Sequence, residues 1–212
     1  MSPIRWKWRG SVPYRQAWEE QRQHRDQIIE GSRSEEIWLL EHNPPVITTG
    51  KRSVDGLPTE TELTARGVEL FRTERGGLAT WHGPGQLMAY LLIRAQARRL
   101  GVRGMVSAVE RAIITWLETW EVEGYRRDGY PGIWAEGHKI CAIGLHFRRG
   151  VSMHGLALNL DPDLHQFRQI QPCGITDAWV TSVAELTGKR PTASQVAPAI
   201  GDALSAELSL SS

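Results

Sequence analysis

The stretch GIWAEGHKICAIGLHFRRGVSMHGLALNL, residues 132–160, decides the fold class of this chain. It contains three strand-like runs separated by two turn-forming pairs, Glu136-Gly137 and Arg149-Gly150. Glycine adopts the positive φ angles that tight hairpin turns require, and strands joined by such turns pair antiparallel. The stretch therefore predicts an antiparallel β-meander.

The remaining segments alternate irregularly between helical and strand-like patterns. Apolar residues recur at helical spacing over residues 105–120, and helices are also predicted over 13–29 and 192–208. Residues 37–40 and 46–50 are typical of short buried strands. Because strands and helices do not alternate strictly, the order favours the α+β class, with mixed or antiparallel sheets and packed helices. No repeat or low-complexity linker interrupts residues 1–212, so we expect a single domain.

Composition and charge argue against several function classes. The 25 Lys and Arg nearly balance the 24 Asp and Glu, so no basic face for nucleic acid is expected. Apolar runs such as residues 90–93 are much shorter than the roughly 18 residues of a membrane span, so no membrane association is expected. The first residues lack the apolar core of a signal peptide, which predicts a cytoplasmic protein whose Cys141 and Cys173 are free thiols.

Phosphate-loop and metal-site patterns fail in this chain. The segment GIWAEGHK resembles a phosphate loop, in which a lysine and then a serine or threonine follow the second glycine. Here His138 stands directly after that glycine, and Ile140 follows Lys139 where the hydroxyl residue is needed. His138 and Cys141 are three residues apart, yet no second Cys or His pair completes a zinc site. We therefore expect neither a cofactor nor a metal.

The glycine-rich segment RGGLATWHGPGQ, residues 75–86, is the first of three candidate sites. Glycine lets the backbone approach a ligand closely and supplies positive φ where the chain turns sharply. Arginine, tryptophan and histidine stand between the glycines, which favours a ligand-binding loop. Two simple hairpin turns are the alternative.

Lys139 and Cys173 are the other two candidates. On a regular strand, Lys139 shares a face with Cys141 and Ile143, and a lysine on an apolar face is unusual. The alternative is that Lys139 begins its strand and reaches water. Cys173 lies between Pro172 and Gly174 and needs a base or a cationic neighbour to react as a thiolate, whereas a structural turn is its alternative.

These segments, in this order, resemble the lipoyl(octanoyl) transferases, also called octanoyl-acyl-carrier-protein:protein octanoyltransferases. The resemblance rests on LEHNPP (40–45), RGGLATWHGPGQ (75–86), PGIWAEGHKICAIG (131–144), MHGLALNL (153–160), QPCGI (171–175) and VTS (180–182), so it spans roughly residues 37–186. It implies a fold like that of biotin and lipoate protein ligases. It also implies an acyl-thioester intermediate on Cys173 and activation of that thiol by Lys139.

The resemblance further implies which residues line the octanoyl chain. They are Arg75, Gly76, Gly77, Leu78, Ala79, Thr80, Trp81, His82, Ala142, Ile143, Gly144, Gly155, Leu156 and Ala157. The glycines among them are expected to leave room for an apolar chain. Two residues depart from the family pattern: Cys141 adds a thiol where a small residue is usual, and Trp81 replaces a frequent tyrosine. Cys141 is either a second thiol near Lys139 or an inert core residue.

The reaction that the resemblance implies is a two-step transfer without ATP. The donor is octanoyl-acyl carrier protein, and the acceptor is a lysine of a lipoyl domain of 2-oxo acid dehydrogenases or of the glycine cleavage H protein. Arg94, Arg98, Arg99 and Arg103 form a local basic cluster that is either a docking patch for such acidic carriers or a solvated surface.

Three other functions fit parts of the same pattern. An ATP-dependent lipoate or biotin ligase shares the fold and the Arg-Gly-Gly loop but needs no cysteine. An inert acyl-binding module would keep the apolar slot without reacting. An amidotransferase that moves lipoyl groups between proteins would use the same cysteine.

Overall fold

The computed structural model describes residues 2–51, 57–170 and 179–209. The strands in these ranges are β1 (Arg5–Ser11), β2 (Glu36–Glu41), β3 (Val46–Thr49), β4 (Glu69–Arg72), β5 (Ala79–His82), β6 (Gln86–Leu92), β7 (Tyr125–Arg127), β8 (Tyr130–Ala135), β9 (His138–Arg148) and β10 (Val151–Asn159). The helices are α1 (Tyr14–Glu30), α2 (Glu60–Ala65), α3 (Val102–Glu118), α4 (Val183–Thr187) and α5 (Ala193–Ser209), with 3₁₀ turns at Ala95–Arg98 and Leu164–Gln169. The α+β prediction is confirmed.

The predicted meander is formed by β8, β9 and β10 within a seven-stranded sheet of order β1-β2-β6-β10-β9-β8-β7. Both hairpin turns have positive φ at their two central residues: 48° and 80° at Glu136 and Gly137, and 47° and 77° at Arg149 and Gly150. These are the angles of a type I′ turn, whose twist matches that of the strands it joins. β1 runs parallel to β2, whereas the other neighbouring strands of this sheet are antiparallel, so the sheet is mixed.

The central strands are buried on both faces, which explains their continuous apolar runs. Ile37 and Leu39 of β2 point into a core that also contains residues of α3 and α5. Trp38 of β2 points to the other face and packs with Ile28 of α1. The large sheet therefore lies between α3 and α5 on one side and α1 on the other.

A smaller three-stranded sheet has the order β4-β3-β5. β3 pairs parallel with β4 and antiparallel with β5. Its apolar side chains form a separate core with Phe167, Ile170 and Val180. β5 pairs with neither β4 before it nor β6 after it, so the alternative of two simple hairpin turns for residues 75–86 is wrong.

The three long helices occur where the sequence predicts them. α1 ends at Gly31, whose φ of 80° is the left-handed conformation that commonly terminates helices. α3 begins at Val102, three residues before its predicted start, because Gly101 has the extended backbone of an N-cap residue. β1 was not predicted; its backbone pairs with β2. None of the helices within the described ranges is long and apolar enough to span a bilayer.

The predicted common face of Lys139 and Cys141 on β9 is wrong. Lys139 lies opposite Trp134 on β8, but Cys141 lies opposite Ile133, so the register shifts by one residue between them. Such a bulge interrupts the alternation of side chains along a strand. Ile140 and Cys141 consequently both pack into the core that contains α3, whereas Lys139 does not belong to it.

Candidate active site

A central cavity is lined by β5, β6, β9 and β10, by the first residue of α1, and by the loop before β5. Its lining residues are Tyr14, Arg75, Gly76, Gly77, Leu78, Ala79, Thr80, His82, Met88, Tyr90, Lys139, Ala142, Ile143, Gly144, His154, Gly155, Leu156 and Ala157. Three segments that are distant in sequence, 75–82, 142–144 and 155–157, meet around this one space. The fold thus brings together the predicted lining residues, with one exception.

Trp81 is that exception. It is buried in the core of the small sheet, where its ring centroid lies 5.4 Å from that of Phe167. A Cβ at Gly83 would lie 2.4 Å from the Trp81 ring, so the indole also occupies the space beside that glycine. The aromatic side chain at this position fills the core instead of lining the cavity.

Arg75 holds the loop that forms one wall of the cavity. Its guanidinium is buried and donates to Thr48 O at 2.7 Å and to Gly76 O at 2.9 Å. The planar fork of an arginine suits several simultaneous acceptors, so it can hold two carbonyls at once. Gly77 follows with φ of 88°, a conformation that favours glycine.

The absence of a side chain matters at Gly144 and at Gly155 for different reasons. A Cβ at Gly155 would lie 1.9 Å from Ala89 O on the neighbouring strand, which no side chain tolerates. A Cβ at Gly144 would lie 3.3 Å from Cδ of Arg75, so it would narrow the cavity. The expectation that these glycines leave room for a ligand fits Gly144, whereas strand packing requires Gly155.

Lys139 lies in the cavity wall and is only 8% exposed. Its Nζ donates to Pro131 O at 3.2 Å and lies 5.0 Å from the centroid of the Trp134 ring. It is the second residue of β9, not the first. The alternative that Lys139 simply reaches water is therefore wrong.

The backbone of Lys139 anchors a second segment of the chain. Its N–H donates to Trp179 O at 2.9 Å, and its carbonyl accepts from Thr181 N–H at 3.0 Å. These bonds form an isolated parallel bridge between Lys139 and Val180. Cys173 lies outside the described residues, in the gap between Ile170 and Trp179. The C-terminal side of that gap is thus fixed against Lys139.

Cys141 is an inert core thiol. It is fully buried beneath α3, and burial raises its pKa well above the ordinary value. A thiol held protonated is a poor nucleophile. The alternative of a second reactive thiol beside Lys139 is therefore wrong.

Four lining residues were missed by the sequence reasoning: Tyr14, Met88, Tyr90 and His154. Met88 and Tyr90 share one face of β6, and His154 directly precedes the predicted Gly155 on β10. Alternation along β6 was the available signal, once a strand had been assigned there.

The histidines near the cavity are held neutral. Burial lowers the pKa of His42 to about 4 and that of His82 well below its usual value, and it also lowers the pKa of His154. Burial raises the pKa of Tyr90, so its hydroxyl keeps its proton. Uncharged side chains at neutral pH make this wall compatible with an apolar ligand.

An open outer groove joins the central cavity at Lys139 and is lined further out by Val102, Val106, Tyr130, Pro131 and Leu145. Both spaces share Gly76, Gly77, Leu78, Lys139, Ile143 and Gly144. Val102 is 55% and Tyr130 39% exposed, so the groove presents apolar surface to solvent. It provides a route from the surface to Lys139.

The four predicted docking arginines do not form one exposed patch. Arg98 is buried and forms an ion pair with Glu35, and Arg94 bonds the carbonyl of Ile28. Arg99 adopts the left-handed conformation at the end of a 3₁₀ turn. At least Arg94 and Arg98 therefore stabilise the fold, so the cluster is not a shared docking surface.

Metal-binding side chains are not grouped in the part of the chain that the structure describes. No three His, Cys, Asp or Glu residues there lie close enough to hold an ion.

The sequence of this chain is similar to a known protein family and to several named proteins. The lipoyl protein ligase A/B catalytic domain family matches residues 13–205. An octanoyltransferase of Azoarcus sp. is 45% identical over 81% of this chain and 74% of its own length. An octanoyltransferase of Chloroflexus aggregans is 42% identical over 89% of this chain and 87% of its own length.

Solved structures show the same fold at low sequence identity. A lipoate-protein ligase A bound with ATP has a TM-score of 0.70 at 16% identity, covering 98% of this chain and 86% of its own. A bipartite lipoate protein ligase from Thermoplasma acidophilum has a TM-score of 0.72 at 13% identity, covering 98% and 84%. A biotin protein ligase from Aquifex aeolicus has a TM-score of 0.55 at 13% identity, covering 96% and 70%.

Proposed function

The chain belongs to the lipoyl protein ligase A/B catalytic domain family, and from that premise we propose that it is an octanoyltransferase acting through a thioester on Cys173. It transfers an octanoyl group to lipoyl domains, the reaction of protein lipoylation. Relatives named octanoyltransferase that are 38–45% identical over most of the chain support this activity.

The position of Lys139 is the observation that carries the proposal. Lys139 lines both the central cavity and the outer groove. Its backbone is bonded to Trp179 and Thr181, which follow the segment that contains Cys173. An acyl carbonyl held at this junction is within reach of Lys139, with its chain in the cavity and its carrier in the groove.

The central cavity suits a medium-length acyl chain. Burial keeps His82 and Tyr90 uncharged in its wall, and Leu78, Ala142 and Leu156 offer apolar contact. Small residues on β9 and β10 leave a slot that larger side chains would fill. The octanoyl chain therefore contacts the predicted lining residues other than Trp81.

In the first step Lys139 accepts the proton of the Cys173 thiol, and the thiolate attacks the carbonyl carbon of an octanoyl thioester. The bond between that carbon and the donor's sulfur breaks. The proton held by Lys139 then passes to the departing thiolate, which leaves as a thiol. Octanoyl now forms a thioester with Cys173.

In the second step the amine of an acceptor lysine attacks the Cys173 thioester. Lys139 accepts a proton from the attacking amine and returns it to the Cys173 sulfur, so the enzyme is restored and an amide is formed. Thioester exchange is nearly isoenergetic, and conversion of a thioester to an amide is downhill. ATP is not required.

The donor is an octanoyl-acyl carrier protein, and the acceptors are the lipoyl domains of 2-oxo acid dehydrogenases or the glycine cleavage H protein. Residues 1–212 act as one catalytic domain, of which the family match covers residues 13–205. The reaction needs a reduced Cys173, which is consistent with work in the cytoplasm.

Intact-mass spectrometry after incubation with octanoyl-acyl carrier protein tests the proposal. We expect one octanoyl group on Cys173 without ATP, and its loss when an apo lipoyl domain is added. An adduct that forms only with ATP would instead indicate a ligase. Octanoyl binding without any adduct would indicate an inert acyl-binding module.

Two substitutions assign the roles. Cys173→Ser is expected to abolish the adduct, whereas Cys141→Ser, at the buried thiol, is the matched control that keeps it. Lys139→Met is expected to keep the fold but to slow both steps by about 100-fold or more, since about 100-fold is the lower end of the range for a lost acid–base group. An unchanged rate in Lys139→Met would contradict the assigned role.

A further inference from the structure

A line of buried side-chain amides runs from the central cavity to the segment that flanks Lys139. His82 Nδ1 lies 3.2 Å from Gln86 Oε1, and Gln86 Nε2 donates to Asn159 Oδ1 at 2.7 Å. Asn159 Nδ2 in turn donates to Thr181 O at 2.8 Å. Gln86 and Asn159 are only 2% and 4% exposed, so water does not replace these bonds.

This line ends on the backbone that holds Lys139. Thr181, whose carbonyl accepts from Asn159, donates its own N–H to Lys139 O at 3.0 Å. Trp179 O accepts from Lys139 N–H at 2.9 Å. Asn159 therefore holds residues 179–181 from one side while Lys139 holds them from the other.

The sheet register makes Asn159 suited to this position. Asn159 is the last residue of β10 and lies directly opposite Gln86, the first residue of β6. Its amide must accept from Gln86 and donate to Thr181 at the same time. An asparagine meets both demands, whereas an aspartate keeps the acceptor and loses the donor.

We propose that Asn159, supported by Gln86, is a positioning residue that sets where the backbone carrying Lys139 and the segment after Cys173 meet. Asn159 is not among the residues that line the cavity, so it acts through Thr181 and not on the substrate. Loss of its N–H donor lets residues 179–181 move away from β9. The separation of Lys139 and Cys173 then varies, and their proton exchange slows. This inference rests on the proposed function.

Asn159→Asp and Gln86→Met test the positioning role in the full chain. Asn159→Asp removes the donor to Thr181, whereas Gln86→Met keeps that donor and removes the bond from Gln86 to Asn159 together with the contact between Gln86 and His82. We expect the single-turnover rate of octanoyl transfer onto Cys173, at saturating donor, to fall on the order of 100-fold in Asn159→Asp. A smaller loss, on the order of 10-fold, is expected in Gln86→Met. The donor concentration for half-maximal rate should stay within about twofold in both.

Ser152→Ala is the matched control, because Ser152 is also a fully buried polar residue of β10. Its hydroxyl bonds Leu91 O, at the other end of the strand from Asn159. This variant is expected to melt earlier and to keep the wild-type transfer rate. If Ser152→Ala and Gln86→Met lose stability equally and neither loses rate, Asn159 and Gln86 are merely structural and the inference is overturned.

The alkylation rate of Cys173 by iodoacetamide, located by peptide mass, separates this inference from the proposed function. Slower alkylation in Asn159→Asp and Gln86→Met, with Ser152→Ala unchanged, supports positioning even if no octanoyl adduct forms on the wild type. Unchanged alkylation and transfer in folded Gln86→Met overturn the inference, even if the wild-type adduct confirms the octanoyltransferase. Should Asn159→Asp fail to fold, Gln86→Met decides alone.

Discussion

Acidification from pH 7 to 4.5 is expected to remove about 2.4 kcal/mol of folding free energy through His42 alone. The ring is fully buried; its Nδ1 lies 2.7 Å from Val12 O and its Nε2 lies 2.6 Å from the Tyr90 hydroxyl oxygen. A carbonyl only accepts, so Nδ1 carries the hydrogen and Nε2 accepts from Tyr90. The neutral ring is thus fully bonded, and burial lowers its pKa to about 4.

The sign follows from which state binds the proton. In the unfolded chain the pKa of histidine is about 6.5, so between pH 6.5 and 4 the unfolded chain takes up a proton that folded His42 refuses. Stability is therefore present above that window and is lost as the pH falls through it. A single site with these two pKa values gives the difference of about 2.4 kcal/mol between pH 7 and 4.5.

Urea unfolding of the wild type and of His42→Asn at both pH values measures this effect. Asparagine keeps an N–H for Val12 O but cannot be protonated, so the variant should lose less stability on acidification by about that amount. His82 and His154, whose pKa values burial also lowers, remain in both proteins and contribute to both. His165→Asn makes the same change at an exposed histidine and should leave the pH dependence unaltered. Equal acid losses in the wild type and His42→Asn would refute the reasoning.

Three further predictions concern packing and the cavity. Gly155→Ala places a Cβ 1.9 Å from Ala89 O and should destabilise the fold by at least about 1–3 kcal/mol in urea unfolding. Gly104→Ala is the control and should not destabilise it, because Gly104 lies inside α3 and its added Cβ would only come into ordinary contact with Leu100, at 3.4 Å. Cys141→Ala should lower the free energy of unfolding by about 1 kcal/mol and leave the octanoyl adduct intact by mass spectrometry. Loss of the adduct would contradict the assignment of Cys173 as the acylated cysteine. Ala142→Leu narrows the cavity and should slow single-turnover transfer of octanoyl more than that of butanoyl; equal slowing would place the acyl chain elsewhere.

Local chemistry explains which parts of the fold could be predicted from sequence. The turns at Glu136-Gly137 and Arg149-Gly150 depend on residues that accept positive φ, and α1 ends at Gly31 for the same reason. Such signals lie within a few residues of each other. The meander and the long helices were therefore predictable without knowing what packs against them.

The orientation of β9 was not predictable in this way. The pairing of β8 with β9 changes register by one residue at Ile140, which forms a bulge. The register of a pair of strands depends on the sequences of both strands. Strict alternation placed Cys141 beside Lys139, whereas the bulge turns the thiol into the core. A single strand sequence does not contain that information.

The residues of the candidate site also divide into those that the sequence predicted and those that it did not. The resemblance located residues 75–82, 142–144 and 155–157, which line one cavity apart from Trp81. Tyr14 was missed because α1 approaches the cavity only through the tertiary fold, and Tyr90 was missed because no strand had been assigned to residues 86–92. Trp81 was misplaced because its motif does not reveal which face of β5 meets the small core.

Arg75 and the two histidines that line the cavity are poorly suited to accept the proton of a thiol. Arg75 stays protonated and is committed to Thr48 and Gly76. Burial lowers the pKa of His82 and of His154 below the ordinary value of histidine, which makes both rings weaker bases and poor acceptors of a thiol proton. Lys139 is the remaining nitrogen base among the described residues that line the cavity. We therefore propose Lys139, which lines both the cavity and the outer groove, as the group that exchanges protons during the transfer.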